Sequence, residues 1–388
     1  MMEVAGRRTI DRRVGRLSGT EDVLPEENAR RSAVISRLVG LARTYGYEEV
    51  EVPILENAEL QLRKSGEQLR RSMYFLRHVG ESEGVSEIAL RPEVTASVAR
   101  LFTSELQSRP LPVRLAYVGK TFRHDSPQRG RLREFTQFGV ELIGLDGPEA
   151  DAEVIALAHQ MVEDLGIRSY ALTIGNIGTI MECLNSRPLQ EITKIQILEG
   201  LENLGRDETP QVASTNLKIK LGQAGVDFSP ITDEEKSQIN SVAAIEASGR
   251  SKELQTVVSS VVRAVYGDGR VSMPDADFQA TKWIEKIKTK EEKEHINTVI
   301  DFIGGLAQIR GKPAEVFSEG ESLMKSFGLS IAPIERLRQL SQYLEMYGID
   351  WSKARIDFGF GRGLAYYSGM IFEIHDESGS LGPTQRQL

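Results

Sequence analysis

The stretch TFRHDSPQRGRLREFTQFGVE, residues 121–141, places four arginines between two segments that each have the character of a buried β-strand. Gly130 lies between them, which predicts a hairpin loop with this glycine at its tip. Guanidinium groups grip phosphate or carboxylate through paired, charge-assisted hydrogen bonds. The pattern therefore predicts two antiparallel strands whose arginine-rich connection could wrap a polyphosphate.

The four arginines differ in how strongly they indicate a bound anion. Taken singly, Arg129, Arg131 and Arg133 are better explained as solvated side chains of a basic surface loop. Arg123 differs because it follows Phe122 in an apolar strand, where a guanidinium needs a buried acid or a ligand to offset its desolvation. We therefore expect Arg123 to face an anion.

Outward from this hairpin, the chain predicts an α+β fold. Val34, Leu38, Leu41 and Tyr45 recur at spacings that place them on one face of a helix, which begins near Pro25 and ends at Gly46. The alternating segment YEEVEVPIL follows as a half-buried strand. Further strand-like and helical segments then alternate, which predicts an antiparallel sheet flanked by helices.

The order of segments also predicts the domain organisation. Residues 1–16 are expected to form a mobile leader, and residues 17–187 the first part of the α+β core. From 188 to 350 apolar residues recur at helical spacing, which predicts an inserted, mainly helical domain. Strand-like sequence returns in residues 351–388, which are expected to complete the second part of the core.

Composition restricts the class of protein. The 388 residues carry a net charge of −8, so the chain as a whole does not attract nucleic acid. Cys183 is the single cysteine, which suits a reducing compartment and a buried apolar thiol. No apolar run reaches the length of a membrane span, and the histidines lack zinc-site spacing. We expect a cytoplasmic protein without a structural metal.

Two further clusters carry polar groups that suit a binding site. In ALRPEVTASVAR, Glu93 and Thr95 point the same way if the segment is extended, and an acid beside a hydroxyl can hold an ammonium group. Alternatively, Thr95 caps a helix and Glu93 is a solvated charge. In GFGRGLAYYSGMIFE, glycines allow close approach to a ligand beside Arg362, Tyr366 and Tyr367, or the segment is a glycine-rich strand with packed tyrosines.

The three clusters, in this order, resemble the catalytic core of the histidyl-tRNA synthetase family, a class II aminoacyl-tRNA synthetase family that includes a paralogue, the regulatory subunit of ATP phosphoribosyltransferase. The helix and strand that end at Pro53 resemble motif 1, which in the family forms the dimer interface. TFRHDSPQRGRLREFTQFGVE is similar to motif 2, and GRGLAYYSGMIFE to the histidine signature. The resemblance covers residues 17–185 and 351–383.

The resemblance implies a role for each matching position. It assigns the histidine amino group to Glu93 and Thr95, further amino-acid contacts to Gln137 and Glu141, and the imidazole pocket to Tyr366 and Tyr367. It also implies that Arg123 bridges the ATP α-phosphate and the histidine carboxylate. The remaining implied positions contact the nucleotide or stabilise the charge that develops on it: Asp125, Arg131, Arg133 and Arg362.

Departures from the family pattern predict sensing of histidine without its activation. Asp125 replaces a longer glutamate of motif 2, and Ala365 replaces the aspartate of the histidine signature. After LGPTQRQL the family continues with motif 3, so the core is expected to be truncated at its C-terminus. The preferred hypothesis is a histidine-binding regulatory subunit without a cofactor, which partners the short-form ATP phosphoribosyltransferase catalytic subunit.

A synthetase is the alternative hypothesis. It would use ATP and Mg²⁺ to activate histidine and would bind tRNA, with Arg123 and Arg362 as its catalytic residues. Both hypotheses predict a homodimer.

Overall fold

The structure, a computed structural model, describes residues 15–76, 87–124, 132–201, 209–223, 251–266, 292–293, 295–361 and 367–378. The chain forms two compact units. The first contains residues 1–171 and 374–388, and the second contains residues 172–373. The predicted boundaries of the inserted helical domain, 188 and 350, both fall inside the second unit, and that domain stays a prediction.

The first unit contains the predicted helices and strands together with a strand, Leu55–Asn57, and a helix, Ala58–Arg70, that the sequence pattern did not indicate. In chain order they are α1 (Pro25–Thr44), β1 (Glu48–Glu49), β2 (Leu55–Asn57), α2 (Ala58–Arg70), β3 (Tyr74–Phe75), β4 (Ile88–Leu90), α3 (Thr95–Leu101), β5 (Val113–Phe122), β6 (Glu134–Ile143) and α4 (Pro148–Asp164). A π-helical turn, Phe102–Leu106, continues α3.

The β5–β6 hairpin is the centre of the first unit. Its strands pair over ten residues each, from Val113 opposite Ile143 to Phe122 opposite Glu134. Strand β1 adds to β5 in parallel, which gives the order β1-β5-β6. A second antiparallel sheet in this unit has the order β2-β4-β3.

Helices cover both faces of the hairpin, because residues along a strand alternate between its two faces. One face packs against α1 and α4 through a cluster that includes Ala116 and Leu157. The other face contributes Leu115 and Tyr117 to a cluster with Val94 and Val98, which lie at and within α3. The polar candidate residues belong to this second face.

Helix α1 forms as its sequence predicts. Pro25 occupies the first turn with two acids, and Gly46 adopts a φ of +83° just beyond the end of the helix, a conformation that glycine reaches without strain. Leu38, Leu41 and Tyr45 pack against the hairpin core. Val34, on the same predicted stripe, instead remains 41% exposed.

The second unit combines a sheet with helices. Most of a four-stranded sheet belongs to this unit, with strands β7 (Tyr170–Asn176), β8 (Arg310–Gly311), β9 (Ala354–Asp357) and β10 (Met370–Asp376) in the order β10-β7-β9-β8. The first two residues of β7 and the last three of β10 are counted with the first unit. Its helices include α5 (Ile177–Asn185), α6 (Glu191–Leu201), α7 (Pro210–Gln223), α8 (Ser251–Tyr266), α9 (Pro313–Ser326) and α10 (Ala332–Met346). Residues 295–306 are also helical.

The predicted α+β class is confirmed, with antiparallel strand pairs flanked by helices. Among the described strands, β1 runs parallel to β5, and β7 runs parallel to β9. Within the described ranges, no helix has the length and hydrophobicity that a membrane span requires.

Candidate functional site

The register of the β5–β6 hairpin places Tyr117, Gln137 and Glu141 on one face of the sheet. Residues directly opposite each other share a face, and the opposite pairs include Leu115 with Glu141, Tyr117 with Gly139, and Gly119 with Gln137. Gln137 and Glu141 therefore project toward the side that α3 covers. Tyr117, which the sequence interpretation missed, lies between them.

Glu93 lies two residues before the first residue of α3, and its side chain caps the first turn of this helix. Its two carboxylate oxygens accept hydrogen bonds from the backbone N–H groups of Thr95 (2.9 Å) and Ala96 (3.0 Å). The segment is thus a helix start, as one interpretation held, but the acid rather than Thr95 is the cap. Each carboxylate oxygen keeps a further lone pair, so capping and binding of an ammonium group are compatible.

Tyr117 joins this helix start to Glu141. Its hydroxyl lies 3.4 Å from Thr95 Oγ1 and donates a hydrogen bond to Glu141 Oε1 at 3.3 Å. The tyrosine ring occupies the space above Gly139, because any Cβ built there would collide with the ring and its hydroxyl. The small residue on β6 therefore lets a side chain from β5 reach Glu141.

The ionised carboxylate of Glu141 has no positively charged partner among the described residues. Its pKa is raised to about 7, mainly by burial and also by the nearby Glu93 carboxylate, although hydrogen bonds from Thr95 and Tyr117 act in the opposite direction. Among the described residues, no lysine or arginine forms an ion pair with Glu141. A bound ammonium group would supply the missing positive charge. The cluster of Glu93, Thr95, Tyr117 and Glu141 is named the acidic cluster below.

Gln137 lies on the same face as Glu141. Its Oε1 atom is buried and has no hydrogen-bond partner in the described part of the chain. Buried polar atoms are normally paired, so an unpaired amide oxygen next to the acidic cluster favours a ligand with a hydrogen-bond donor.

Arg123 follows directly after β5. Its Nε donates to the Pro92 carbonyl oxygen at 2.9 Å, and its guanidinium carbon lies 5.6 Å from the centroid of the Phe135 ring. These contacts orient the side chain without neutralising its charge. Within the described ranges no acid pairs with Arg123, so its anionic partner stays a prediction.

Arg133 lies at the start of β6. Its backbone carbonyl accepts from Arg123 N at 2.9 Å, which fixes the two arginines relative to each other. Its Nη1 donates to Ser18 O at 3.2 Å. Two other predicted nucleotide residues, Asp125 and Arg131, lie outside the described residues, as do Arg129 and Gly130.

The histidine signature falls in the second unit. Tyr367 is half-buried and immediately precedes the stretch that leads into β10. Arg362 and Tyr366 lie outside the described residues. The roles of all three in the catalytic site and imidazole pocket stay predictions.

Arg91 is a second residue that the sequence interpretation missed. It is 4% exposed, and its guanidinium donates to the carbonyl oxygens of Lys120 (2.9 Å), Val52 (2.6 Å) and Pro53 (3.1 Å). Its side chain occupies the space above Gly119. Gly119 and Gly139 are the signal in the sequence that could have indicated Arg91 and Tyr117. A glycine within a strand leaves space that a long side chain from another segment can fill.

No metal centre emerges from the described residues, because no three His, Cys, Asp or Glu side chains among them lie close enough to hold an ion. Cys183 is buried, and burial raises the pKa of its thiol to about 11, which agrees with a packed apolar role.

Comparison with known proteins adds independent information. The chain is 30% identical over 364 residues to the histidine-tRNA ligase of Methanosarcina acetivorans, which covers 94% of this chain and 66% of that protein. It is 41% identical over 197 residues to the histidine-tRNA ligase of Archaeoglobus fulgidus, covering 49% of this chain and 47% of that protein. The chain thus spans about two thirds or less of the length of these relatives.

A solved structure supports the fold. The ATP phosphoribosyltransferase regulatory subunit/histidyl-tRNA synthetase from Bacillus halodurans superposes with a TM-score of 0.57, at 21% identity, over 92% of this chain and 72% of that chain. This likeness concerns the fold alone.

The preferred hypothesis of a regulatory subunit is wrong. Eight curated relatives, 28–41% identical, are all named histidine-tRNA ligase, and seven of them match over more than nine tenths of this chain. The hypothesis rested on single exchanges at Asp125 and Ala365, which remove one methylene and one carboxylate. Two local changes do not outweigh similarity that extends along the chain. The predicted partnership with a phosphoribosyltransferase subunit depended on the regulatory hypothesis, so it has no remaining support.

A family model supplies the last comparison. The model described as histidyl-tRNA synthetase matches residues 19–265, a range that includes α1, the acidic cluster and the whole β5–β6 hairpin. The match covers more than half of the sequence, and it contains two of the three motifs that suggested this family. The chain belongs to the histidyl-tRNA synthetase family.

Proposed function

We propose that the chain binds L-histidine and activates it with ATP, as part of a histidine-tRNA ligase whose further substrate is tRNA. The observation that carries this proposal is the acidic cluster, where Glu141, with a pKa raised by burial, lies beside Glu93 and has no cationic partner among the described residues. An α-ammonium group would supply this charge. Gln137, with its unpaired amide oxygen, provides a further contact.

Activation requires a carboxylate oxygen of histidine to attack the α-phosphorus of ATP. The bond from this phosphorus to the bridging oxygen then breaks, and pyrophosphate leaves with the electron pair. Arg123, held by Pro92 O and Phe135, is the residue we assign to the α-phosphate and the carboxylate. A fixed guanidinium stabilises the negative charge that develops in this step.

The nucleotide phosphates themselves are the main ligands that Mg²⁺ uses in such sites. The described residues offer no carboxylate or histidine cluster for the ion. We therefore assign no step to it, and ATP would bring the metal with it.

The test is histidine-dependent exchange of labelled pyrophosphate into ATP by the full chain. We expect exchange in the wild type and a loss of at least about 100-fold in Arg123→Lys, because lysine cannot reproduce planar, bidentate contact. Arg362→Ala is expected to lose exchange as well. Arg63→Lys is the matched control, since among the described residues Arg63 pairs only with Glu59, at an exposed position on α2. Absence of exchange in the folded wild type would refute activation.

A further inference from the structure

A short turn precedes α1 and has little packing of its own. Residues Leu17 to Thr20 close on themselves, since Thr20 N and Thr20 Oγ1 both donate to Leu17 O, at 3.2 and 2.8 Å. Leu17 is 77% exposed, so the hydrophobic effect does not explain the position of the turn. Its polar contacts must hold it in place.

Those contacts are made to Arg133. Arg133 N donates to Gly19 O at 2.7 Å, and Arg133 Nη1 donates to Ser18 O at 3.2 Å. The turn therefore holds Arg133 at two points, one on the backbone and one at the tip of the side chain. A side chain fixed at both ends loses less rotamer freedom when it binds a ligand.

Gly19 is required at this place for two separate reasons. Its φ is +82°, where side chains other than glycine are strained. A Cβ built there would also lie 2.8 Å from Cγ and 2.9 Å from Cδ of Arg133, closer than carbon atoms approach. The stem of Arg133 thus passes directly across the face of Gly19.

The turn is connected on both sides to the rest of the first unit. Glu21, which follows it, pairs with Arg31 on α1 at 2.5 Å. Arg133 O accepts from Arg123 N, so the position of Arg133 also bears on the arginine assigned to the α-phosphate. The turn contacts Arg133 directly and is linked to Arg123 only through this one backbone hydrogen bond, so a change at Gly19 acts mainly on Arg133.

We propose that the turn Leu17–Thr20 is a positioning element for ATP, which acts through Arg133 by holding its backbone and guanidinium in place. The inference rests on the proposed function, because it requires that Arg133 contacts the nucleotide. Gly19 and Thr20 themselves touch no substrate in this arrangement.

Gly19→Ala tests this positioning role. We expect the KM for ATP to rise about tenfold or more, with the KM for histidine changed less than about twofold, because the acidic cluster is untouched. Gly166→Ala is the matched control: Gly166 has nearly the same φ, +80°, but nothing lies within 4 Å of its Cβ position. It introduces the same backbone strain in the same unit without touching Arg133.

Thr20→Ala provides a second, milder variant in case Gly19→Ala does not fold. It removes the Thr20 Oγ1 bond to Leu17 O, loosens the turn, and adds no bulk. The KM for ATP should again rise selectively, by about threefold. Thr44→Ala is its control, since Thr44 Oγ1 makes the same kind of bond, to Leu41 O at 2.7 Å, at the end of α1.

Calorimetric Kd values for ATP and for histidine separate this inference from the proposed function. If the wild type binds ATP without exchanging pyrophosphate, activation is rejected and the ATP Kd of the variants decides the role of the turn. Equal changes for both ligands, or changes no larger than those of the controls, would overturn the positioning role. A wild type that binds no ATP would overturn both proposals.

Discussion

Glu141 lies under Tyr117 on the covered face of the hairpin, and its environment makes its ionisation unfavourable. Its pKa of about 7 exceeds its ordinary value of 4.5, so the folded state binds a proton more tightly than the unfolded state does. Between pH 4.5 and about pH 7 the folded protein holds more protons than the unfolded protein does, so the free energy of unfolding falls as pH rises. Above about pH 7 the loss is complete.

Glu141→Gln should therefore stabilise the ligand-free protein at alkaline pH. We expect the variant to exceed the wild type by roughly 1–3 kcal/mol at about pH 8, with a difference near zero at about pH 4, because glutamine has no charge to desolvate. Urea unfolding at both pH values measures this. The same variant should lose affinity for histidine.

Glu153 offers a control of opposite sign. Hydrogen bonds from Arg114 lower the pKa of Glu153, with a further one from Tyr47, so this carboxylate contributes stability above its ordinary pKa and loses it as pH falls. Glu153→Gln should destabilise the protein at about pH 8. If both glutamine variants shift stability in the same direction, the account of Glu141 is wrong.

At the scale of elements, local pattern predicted the long segments and missed the ends of the short ones. The hairpin strands and α1 follow from alternation, helical spacing and the glycine at 46. The segment YEEVEVPIL predicts a longer strand, but only Glu48–Glu49 pair as β1. Both side chains are exposed at a sheet edge, where neither burial nor a second neighbour extends the pairing.

Parts of the candidate site depend on register, which the sequence does not determine by itself. Gln137 and Glu141 were identified because they belong to one motif. The position of Tyr117 follows from the register, since it lies over Gly139 of the opposite strand, whereas Arg91 reaches Gly119 from the segment between β4 and α3. The capping role of Glu93 depends on where α3 begins, a boundary that shifts easily by a residue or two.

The exposed surface of α1 leads to a prediction about assembly. Val34 is 41% exposed on the helix that resembles the family's dimer motif, and only Val39 and Ala42 of this helix are buried. We expect a homodimer through α1, and Val34→Glu should weaken it because a charge would be desolvated at the interface. Light scattering over a concentration series measures the molar mass.

Met346→Glu is the control for this experiment. Met346 is 82% exposed at the end of α10, so the substitution adds the same charge to an exposed apolar position on a different helix. The control should retain the wild-type mass. A wild type that is monomeric throughout the series, or equal weakening by both variants, would contradict an interface on α1.

At the scale of the whole molecule, similarity along the chain identifies the family despite local departures from its motifs. The family match extends over residues 19–265, whereas the regulatory hypothesis depended mainly on departures from the family motifs at Asp125 and Ala365. A single residue changes a free energy by a few kcal/mol at most, which slows or weakens one step. It does not identify which reaction the remaining contacts serve.

Binding of histidine should be visible in the stability of the whole molecule. A ligand that binds only the folded state, at about 100 times its Kd, raises the free energy of unfolding by about 2.7 kcal/mol. We expect L-histidine to raise the melting temperature by several degrees. Imidazolepropionate, which lacks only the α-ammonium group, should change the melting temperature little, because it offers Glu93 and Glu141 no positively charged partner.

The amino alcohol histidinol separates the two ends of the ligand. It keeps the ammonium and imidazole groups and lacks the carboxylate that we assign to Arg123, so it should stabilise the wild type less than histidine does and more than imidazolepropionate does. In Arg123→Lys the difference between histidine and histidinol should shrink, while imidazolepropionate stays ineffective, since Glu93 and Glu141 are unchanged. Equal stabilisation of the wild type by histidine and imidazolepropionate would show that the acidic cluster does not hold the amino group.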